Sequence, residues 1–287
     1  MATEVRVLSI EEIQTLIDWA QQEGWNPGLH DSGIFHSVDP SGYFGAFVNG
    51  ELVGGISAVR YDDTFGFIGF FIVKPGYRGG HFGPEVAMSA SAHLGERNIG
   101  IDGVEAKLKN YANIYGFKLA YRNIRFEGTV SSLTSTHQTH SSDKALFAAS
   151  EIPFDALEAY DRQCFPAQRS SFLSQWFNAP DSVTLVSRKA SKVEGMGTIR
   201  QCVNGYKIGP LFADSYEIAE NIMLGLLTTV PEGEKFYLDI PETNTMAQKL
   251  VNTYAMKSVF LTARMYSKNA PDINVNKIFG VTTFELG

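Results

Sequence analysis

The chain has 287 residues, 44% of them hydrophobic and 19% charged, which is the balance of a folded globular protein and excludes a disordered or fibrous one. A net charge of −7 argues against a general nucleic-acid surface, which needs dense Lys and Arg. Cys164 and Cys202 are too few and too far apart for a disulfide framework or a zinc site, no apolar run approaches the roughly 20 residues of a membrane span, and the N-terminus lacks a basic-then-apolar leader pattern. A cytoplasmic protein without membrane or nucleic-acid partners, monomeric or homodimeric, is the expectation.

At about 150 residues per domain the length favours two domains. The Ser-, Thr- and His-rich stretch from Thr129 to Ser142 divides the chain near its middle. It gives an N-terminal domain over 1–128, a linker over 129–144 and a C-terminal domain over 145–287. His137 and His140 have no carboxylate or thiol companion, so no metal site is expected.

In chain order, Glu4–Leu8 reads as a strand, and Ser9 with Glu12 three residues on is a capping box that opens a helix with Ile10, Ile13, Leu16, Ile17 and Ala20 at helical spacing. Tyr43–Val48 and Leu52–Tyr61 flank Asn49-Gly50, a hairpin signal. The nearly all-apolar run Phe65–Val73 fits a central strand covered on both faces. Pro84 opens a helix with Val86, Ala90 and Leu94 on one side. Strands follow at Ile101–Val104 and Lys118–Phe126, with a short helix near Asn110 between them.

The order then returns in outline. Phe154–Phe165 and Ser170–Phe177 read as helices, Val183–Ser187 and Gly195–Gln201 as strands, and Asn204-Gly205 as a second hairpin turn before Tyr206–Leu211. An amphipathic helix around Ile218–Leu226, a strand Phe236–Ile240, a helix Asn244–Tyr254 and a strand Val259–Tyr266 complete it. Ile68-Gly69 falls where Ile208-Gly209 falls, an echo of internal duplication.

The chemistry concentrates after Val73, where an apolar strand stops at Pro75-Gly76, a glycine-rich loop follows with Arg78 at its start, and a helix begins. Amides at a helix start, reinforced by the helix dipole, form an anion site suited to a diphosphate, and glycines let the backbone come close. A nucleotide-binding doubly wound domain is disfavoured, because no strand–helix alternation precedes the loop and no acidic residue stands at the expected distance after it.

The run Val73-Lys74-Pro75-Gly76-Tyr77-Arg78-Gly79-Gly80-His81-Phe82-Gly83 resembles the coenzyme-binding motif of the Gcn5-related (GNAT) acetyltransferases, V-x-P-x-Y-R-G-x-G-x-G/A entering a helix. His81 takes the place of the middle glycine, so its side chain must turn away from the diphosphate or contact it. Asn110-Tyr111-Ala112-Asn113-Ile114-Tyr115-Gly116-Phe117 matches the family's Asn, Tyr and Gly-Phe feature with the spacing off by one. The resemblance extends over nearly the whole chain to tandem GNAT proteins of the YitH type, on Glu23-Gly24-Trp25-Asn26-Pro27-Gly28, Ile101-Asp102-Gly103-Val104, Tyr121–Phe126, Ile208–Leu211, Leu238–Glu242 and Arg264-Met265-Tyr266.

That resemblance implies an α+β fold: two tandem GNAT folds, each a mixed, mostly antiparallel twisted sheet flanked by helices. It implies an acetyl-CoA-dependent N-acetyltransferase in which a primary amine, of a small molecule or a peptide, attacks the thioester directly. Phe71, Ile72, Val73, Arg78, Gly79, Gly80, His81, Phe82, Gly83 and Asn110 would bind acetyl-CoA. Tyr111 or Tyr115 would protonate the leaving thiolate; the two share a helix face at i, i+4, and Tyr111 is preferred because Asn110 adjoins it. No carboxylate lies within Phe65–Val73, where the family often places its base, so Asp31 is taken as base or amine anchor, with Glu105 and Asp39 behind it. Trp25, Phe35 and Tyr43 are candidate pocket walls. The second half lacks Arg and glycines after Leu211, and Asp214 and Glu217 there would repel a diphosphate, so it is expected to bind no coenzyme and to shape the acceptor pocket. A non-catalytic acyl-CoA sensor or scaffold is the alternative from a different class, supported by His81 and the missing strand carboxylate.

Overall fold

Helix α1 (Ile10–Gln22) starts as its sequence dictates: the Ser9 hydroxyl accepts from the Glu12 amide at 3.3 Å and the Glu12 carboxylate accepts from the Ser9 amide at 2.8 Å. Its apolar stripe, Ile13, Leu16, Ile17 and Ala20, is buried. The computed structural model describes residues 3–130 and 145–287, so most of the expected linker, with His137 and His140, lies outside the described residues. Within them are eight α-helices and 13 strands.

The first half contributes β1 (Thr3–Val7), β2 (Tyr43–Val48), β3 (Glu51–Arg60), β4 (Phe65–Val73), β5 (Asn98–Val104) and β6 (Lys118–Thr129), with α2 (Asp31–Val38), α3 (Phe82–Leu94) and α4 (Leu108–Tyr115). The hairpin between β2 and β3 turns on Asn49 and Gly50, both at positive φ (51° and 81°), as that tight turn requires. The second half contributes β7 (Leu146–Ala148), β8 (Ser182–Lys189), β9 (Lys192–Gln201), β10 (Tyr206–Ala213), β11 (Lys235–Pro241), β12 (Lys257–Tyr266) and β13 (Ile278–Gly280). Its helices are α5 (Phe154–Asp161), α6 (Ser170–Trp176), α7 (Tyr216–Leu227) and α8 (Thr245–Thr253).

The strands join one continuous sheet in the order β1-β2-β3-β4-β5-β12-β6-β11-β10-β9-β8-β7, with β13 on β10. Only β4–β5 and β10–β11 pair in parallel; the other ladders are antiparallel. Each half therefore has one parallel pair flanked by hairpins, as duplication predicts, but at the centre the halves exchange strands. β12 lies between β5 and β6, and β6 lies between β12 and β11. A cut at residue 128 divides the chain without dividing the sheet.

The exchange is marked by two buried ion pairs between directly opposed residues. Arg264 on β12 faces Asp102 on β5, bonding it at 2.9 and 2.6 Å, and Arg125 on β6 faces Asp239 on β11 with two bonds of 2.7 Å. Each pair joins one half's last long strand to the other half's parallel pair. A guanidinium fork on a carboxylate fixes geometry as well as charge, and an unpaired charge at either site would be costly, so a shifted register is disfavoured.

The parallel pairs part early. β4 and β5 pair only from Phe65↔Asn98 to Ile68↔Ile101, and β10 and β11 only from Tyr206↔Phe236 to Ile208↔Leu238. Beyond those points each pair splays, and the two clefts meet different fates. In the second half β13 fills the gap, pairing Leu211↔Gly280 and Phe212↔Ile278, while the Val281 amide donates to the Asp239 carbonyl at 2.8 Å. The Asn244 cap of α8 holds this strap through an amide bond to the Ile278 carbonyl at 2.9 Å. In the first half the cleft stays open.

Candidate active site

The open cleft is a cavity of about 540 Å³ between the splayed ends of β4 and β5. Its mouth is the loop Arg78, Gly79, Gly80 with Gly83 and Pro84 at the start of α3; one wall is Gly69–Val73, the other Ile101–Val104 with Asn110, Tyr111, Ile114 and Tyr115. Trp25, Phe260, Thr262, Phe284 and Glu285 close the inner end.

The wall on β4 is shaped by a bulge. Register jumps between Gly55↔Ile72 and Ser57↔Gly69, so Phe70 and Phe71 together oppose Ile56, and Phe70 takes a φ of 46°. A non-glycine residue held in the left-handed region costs on the order of 1–3 kcal/mol, and such strain concentrates where a backbone must be re-aimed. With β5 already departed, the backbone groups of this segment on the cleft side have no strand partner, which frees them for a ligand's amides and carbonyls.

Helix α3 begins at Phe82 rather than at Pro84, with Pro84 in its first turn. The first amides of a helix have no partner within it, so α3 turns its dipole end, at Gly83, to the mouth, and Pro84 leaves no further N–H to satisfy. Gly79 stands at φ 82° with nothing within 4 Å of an imagined Cβ, a glycine kept for its conformation. A Cβ on Gly83 would meet Phe71 at 3.5 Å, ordinary contact, so bulk added there is felt in the cleft before it is felt in the fold. The loop, its glycines and the helix start fit a diphosphate-bearing coenzyme. Arg78 donates to the Val73 carbonyl at 2.8 Å and pairs with Glu23 across the mouth; a bound diphosphate would compete with Glu23 for it.

The expected coenzyme residues divide. Phe71, Ile72, Val73, Arg78, Gly79, Gly80, Gly83 and Asn110 line the cavity. His81 and Phe82 do not: the His81 ring lies against the Phe82 ring at 4.2 Å and reaches toward Glu85, while Phe82 packs edge-on against Tyr77 at 5.5 Å. Both tyrosines reach the cavity. Tyr111 lies flat on Gly103, where a Cβ would meet its ring at 2.5 Å, and burial, with Tyr115 adding, holds its hydroxyl above the ordinary tyrosine range. It is protonated at neutral pH. Tyr115 is 41% exposed at the end of α4, where Gly116 in the left-handed region turns the chain out of the helix.

Asp31 is not brought to the cavity. It begins α2, where the sequence suggested only a loop, and is 1% exposed; Arg200 bonds it at 3.1 and 3.4 Å and the Gly28 amide donates to it at 2.7 Å. Both oxygens are engaged, in a clamp between the halves. Asp39 is likewise occupied: burial works to raise its pKa, but hydrogen bonds from His93, the Arg60 amide and side chain, and Ser41 outweigh that and bring it down to about 2. Glu105 pairs with Arg122 at the surface. Of the three aromatic wall candidates, Trp25 lines the cavity, while Phe35 and Tyr43 sit in the core around α1.

The Trp25 loop is held by β6 of its own half and by the second half. Arg125 donates to the Trp25 carbonyl at 2.8 Å, Lys207 to the Asn26 carbonyl at 2.9 Å, and Asn26 exchanges bonds of 3.0 and 2.9 Å with Asn204. The inner residues Phe260, Thr262, Phe284 and Glu285 also come from the second half and were missed by the sequence reading. The tail carries no periodic pattern, and its place is set by the cleft it fills.

Two family models match the chain: an acetyltransferase (GNAT) family over residues 10–116 and an acetyltransferase (GNAT) domain over residues 157–280. A holothin acyltransferase from Pseudoalteromonas sp. (strain SANK 73390) is 28% identical over 279 residues, covering 97% of this chain and 92% of the relative. Among solved structures, a proposed acetyltransferase from Pyrococcus horikoshii superposes with a TM-score of 0.82 at 22% identity, covering 99% of this chain and 96% of the other. A tandem GNAT protein from the clavulanic acid biosynthesis pathway superposes with a TM-score of 0.66 at 11% identity, over 94% of this chain and all (100%) of the other. These last two likenesses concern the fold alone.

Proposed function

This chain belongs to the GNAT acetyltransferase family in both its halves and is an acyltransferase, and from that premise we propose that it transfers an acetyl group from acetyl-CoA to a primary amine by direct attack within the first-half cleft. The observation that carries the reading is the glycine loop and helix start opening onto a splay of β4 and β5 lined by unpaired strand backbone. Arg78 and the amides of Gly79, Gly80 and Gly83 would hold the diphosphate. The exposed edge of Phe71, Ile72 and Val73 would hydrogen-bond the pantetheine amides and polarise the thioester carbonyl, as oriented backbone dipoles do in acyl transfer. Asn110 would contact the coenzyme beside the thiol, and Tyr111 would give the departing sulfur its proton. The family resemblance supports each of these roles; the cleft's lining makes them sterically compatible.

The acceptor we infer is a small amine that fits the inner end under Trp25, Phe260 and Phe284. Free thiol release from acetyl-CoA is the test, with holothin, aniline, benzylamine and a short peptide with a free N-terminus as acceptors; holothin is included because of the relative's activity. Acceptor-dependent thiol release, with the acetylated product seen by mass, is expected. Tight coenzyme binding with no release for any of them would favour the non-catalytic sensor instead.

A further inference from the structure

We propose that the Glu285 carboxylate, delivered by the C-terminal tail, receives the acceptor's nitrogen and takes its proton; this rests on the reading of the cleft as an acyl-transfer site. Glu285 lines the inner end of the cavity yet is 3% exposed, and neither carboxylate oxygen accepts a hydrogen bond from any described residue. A buried acid without a donor is a cost to the fold, and one whose residue borders a cavity can be completed by what enters it. The other acids near that end are taken. Asp31 is bonded by Arg200 and Gly28, Asp102 by Arg264 and Asn123, and Asp239 by Arg125. Glu23 is across the mouth with Arg78. Thr262, on the same stretch of wall, has a buried hydroxyl that is also without a partner, a second polar contact for the acceptor.

The tail is held firmly enough to position such a group. Arg169 donates to the Thr282 hydroxyl at 2.8 Å, Tyr61 to the Leu286 carbonyl at 2.8 Å, and the Leu286 amide to the Thr283 hydroxyl at 2.9 Å. The Glu285 backbone packs so closely on Gly69 that any Cβ there would collide with the Glu285 carbonyl. This places residue 285 beside the bulged strand that would polarise the thioester. Lys207, Arg125, Arg200 and Asp31 make up its charged surroundings; burial raises its pKa, Lys207 and the arginines work against that, and Asp31 adds to it. The net direction is upward, which is the direction that favours a carboxylate acting as a proton acceptor.

The step balances. The acceptor's lone pair forms the C–N bond to the thioester carbonyl, its N–H proton passes to Glu285, the C–S bond breaks, and the thiolate takes a proton from the Tyr111 hydroxyl. Return of the proton from Glu285 to Tyr111 through solvent restores both, leaving amide and free thiol.

Glu285→Gln tests this with acetyl-CoA and the four acceptors above. The variant should bind acetyl-CoA within about threefold of the parent while kcat/KM falls on the order of 10²–10⁴-fold, and the fall in parent rate on the acid side of the pH profile should disappear. Glu285→Asp should recover part of the rate. A variant whose kcat/KM stays within threefold, or whose coenzyme binding falls as far as its turnover, overturns the proposal. If the parent acetylates none of the acceptors, the acyl-transfer reading fails by itself, and Glu285 is then judged without an acceptor. Dicyclohexylcarbodiimide, which adds to carboxyl groups in apolar sites, should modify Glu285 by peptide mass, and acetyl-CoA should slow that modification. Glu285 left unmodified would contradict its facing the cavity as a reactive acid.

Discussion

Tyr111 shows what a residue's neighbours add to its type. Its hydroxyl is kept protonated by burial against Gly103, so it can donate, while the leaving thiolate needs only modest help at neutral pH. Tyr111→Phe should therefore lower kcat by about ten- to a hundredfold with little change in coenzyme affinity, and Tyr115→Phe, altering an exposed ring, should lower it less. Rates and affinities measured separately for the two variants check this; equal rates in both variants and the parent would remove the tyrosine acid. The loop and helix start at the cavity's mouth were legible because turn, glycines and helix start are consecutive residues. The carboxylates were not. Asp31 stood beside a family-like motif but is consumed by Arg200, 169 residues away, whereas Glu285 stands in a tail without a motif and acquires its place only when that tail crosses the sheet. A base is defined by which acids remain unpaired, and pairing is a tertiary property.

At the level of elements, the strands were legible one by one and their order was not. Alternation and turn residues mark where β2, β3, β4 and β10 run, yet nothing in the run Lys257–Tyr266 says that it pairs with β5 of the other half. The opposed pairs Asp102–Arg264 and Asp239–Arg125 make that choice, since any other register leaves a buried charge alone. Asp239→Ala, which strands Arg125, should cost about 3–5 kcal/mol. Because β6 and β12 lie inside the shared centre, the loss should appear in one cooperative urea transition involving both halves. Two separate transitions, or a loss under about 1 kcal/mol, would mean that the exchange contributes little to stability. The short elements α2, β7 and β13 escaped the sequence reading because three to eight residues carry too little period to be recognised.

Over the whole molecule, one fold occurs twice and its two clefts differ. Both halves splay a parallel pair after an Ile-Gly step, but only the first follows it with Arg and glycines at a helix start. In the second, Asp214 is held by Lys277 at 2.8 Å and Tyr160 at 2.9 Å, and β13 occupies the gap itself. The same tail that closes the second cleft runs on to line the first, so the half whose own gap is filled by β13 supplies part of the wall of the open cleft. Calorimetric titration with acetyl-CoA tests this arrangement most directly, on the parent and on Gly83→Asp, whose added Cβ the fold can accommodate but whose charge would face the diphosphate. The account predicts one coenzyme per chain for the parent and affinity weakened on the order of tenfold or more for the variant; two coenzymes per chain, or unchanged affinity in Gly83→Asp, would contradict it.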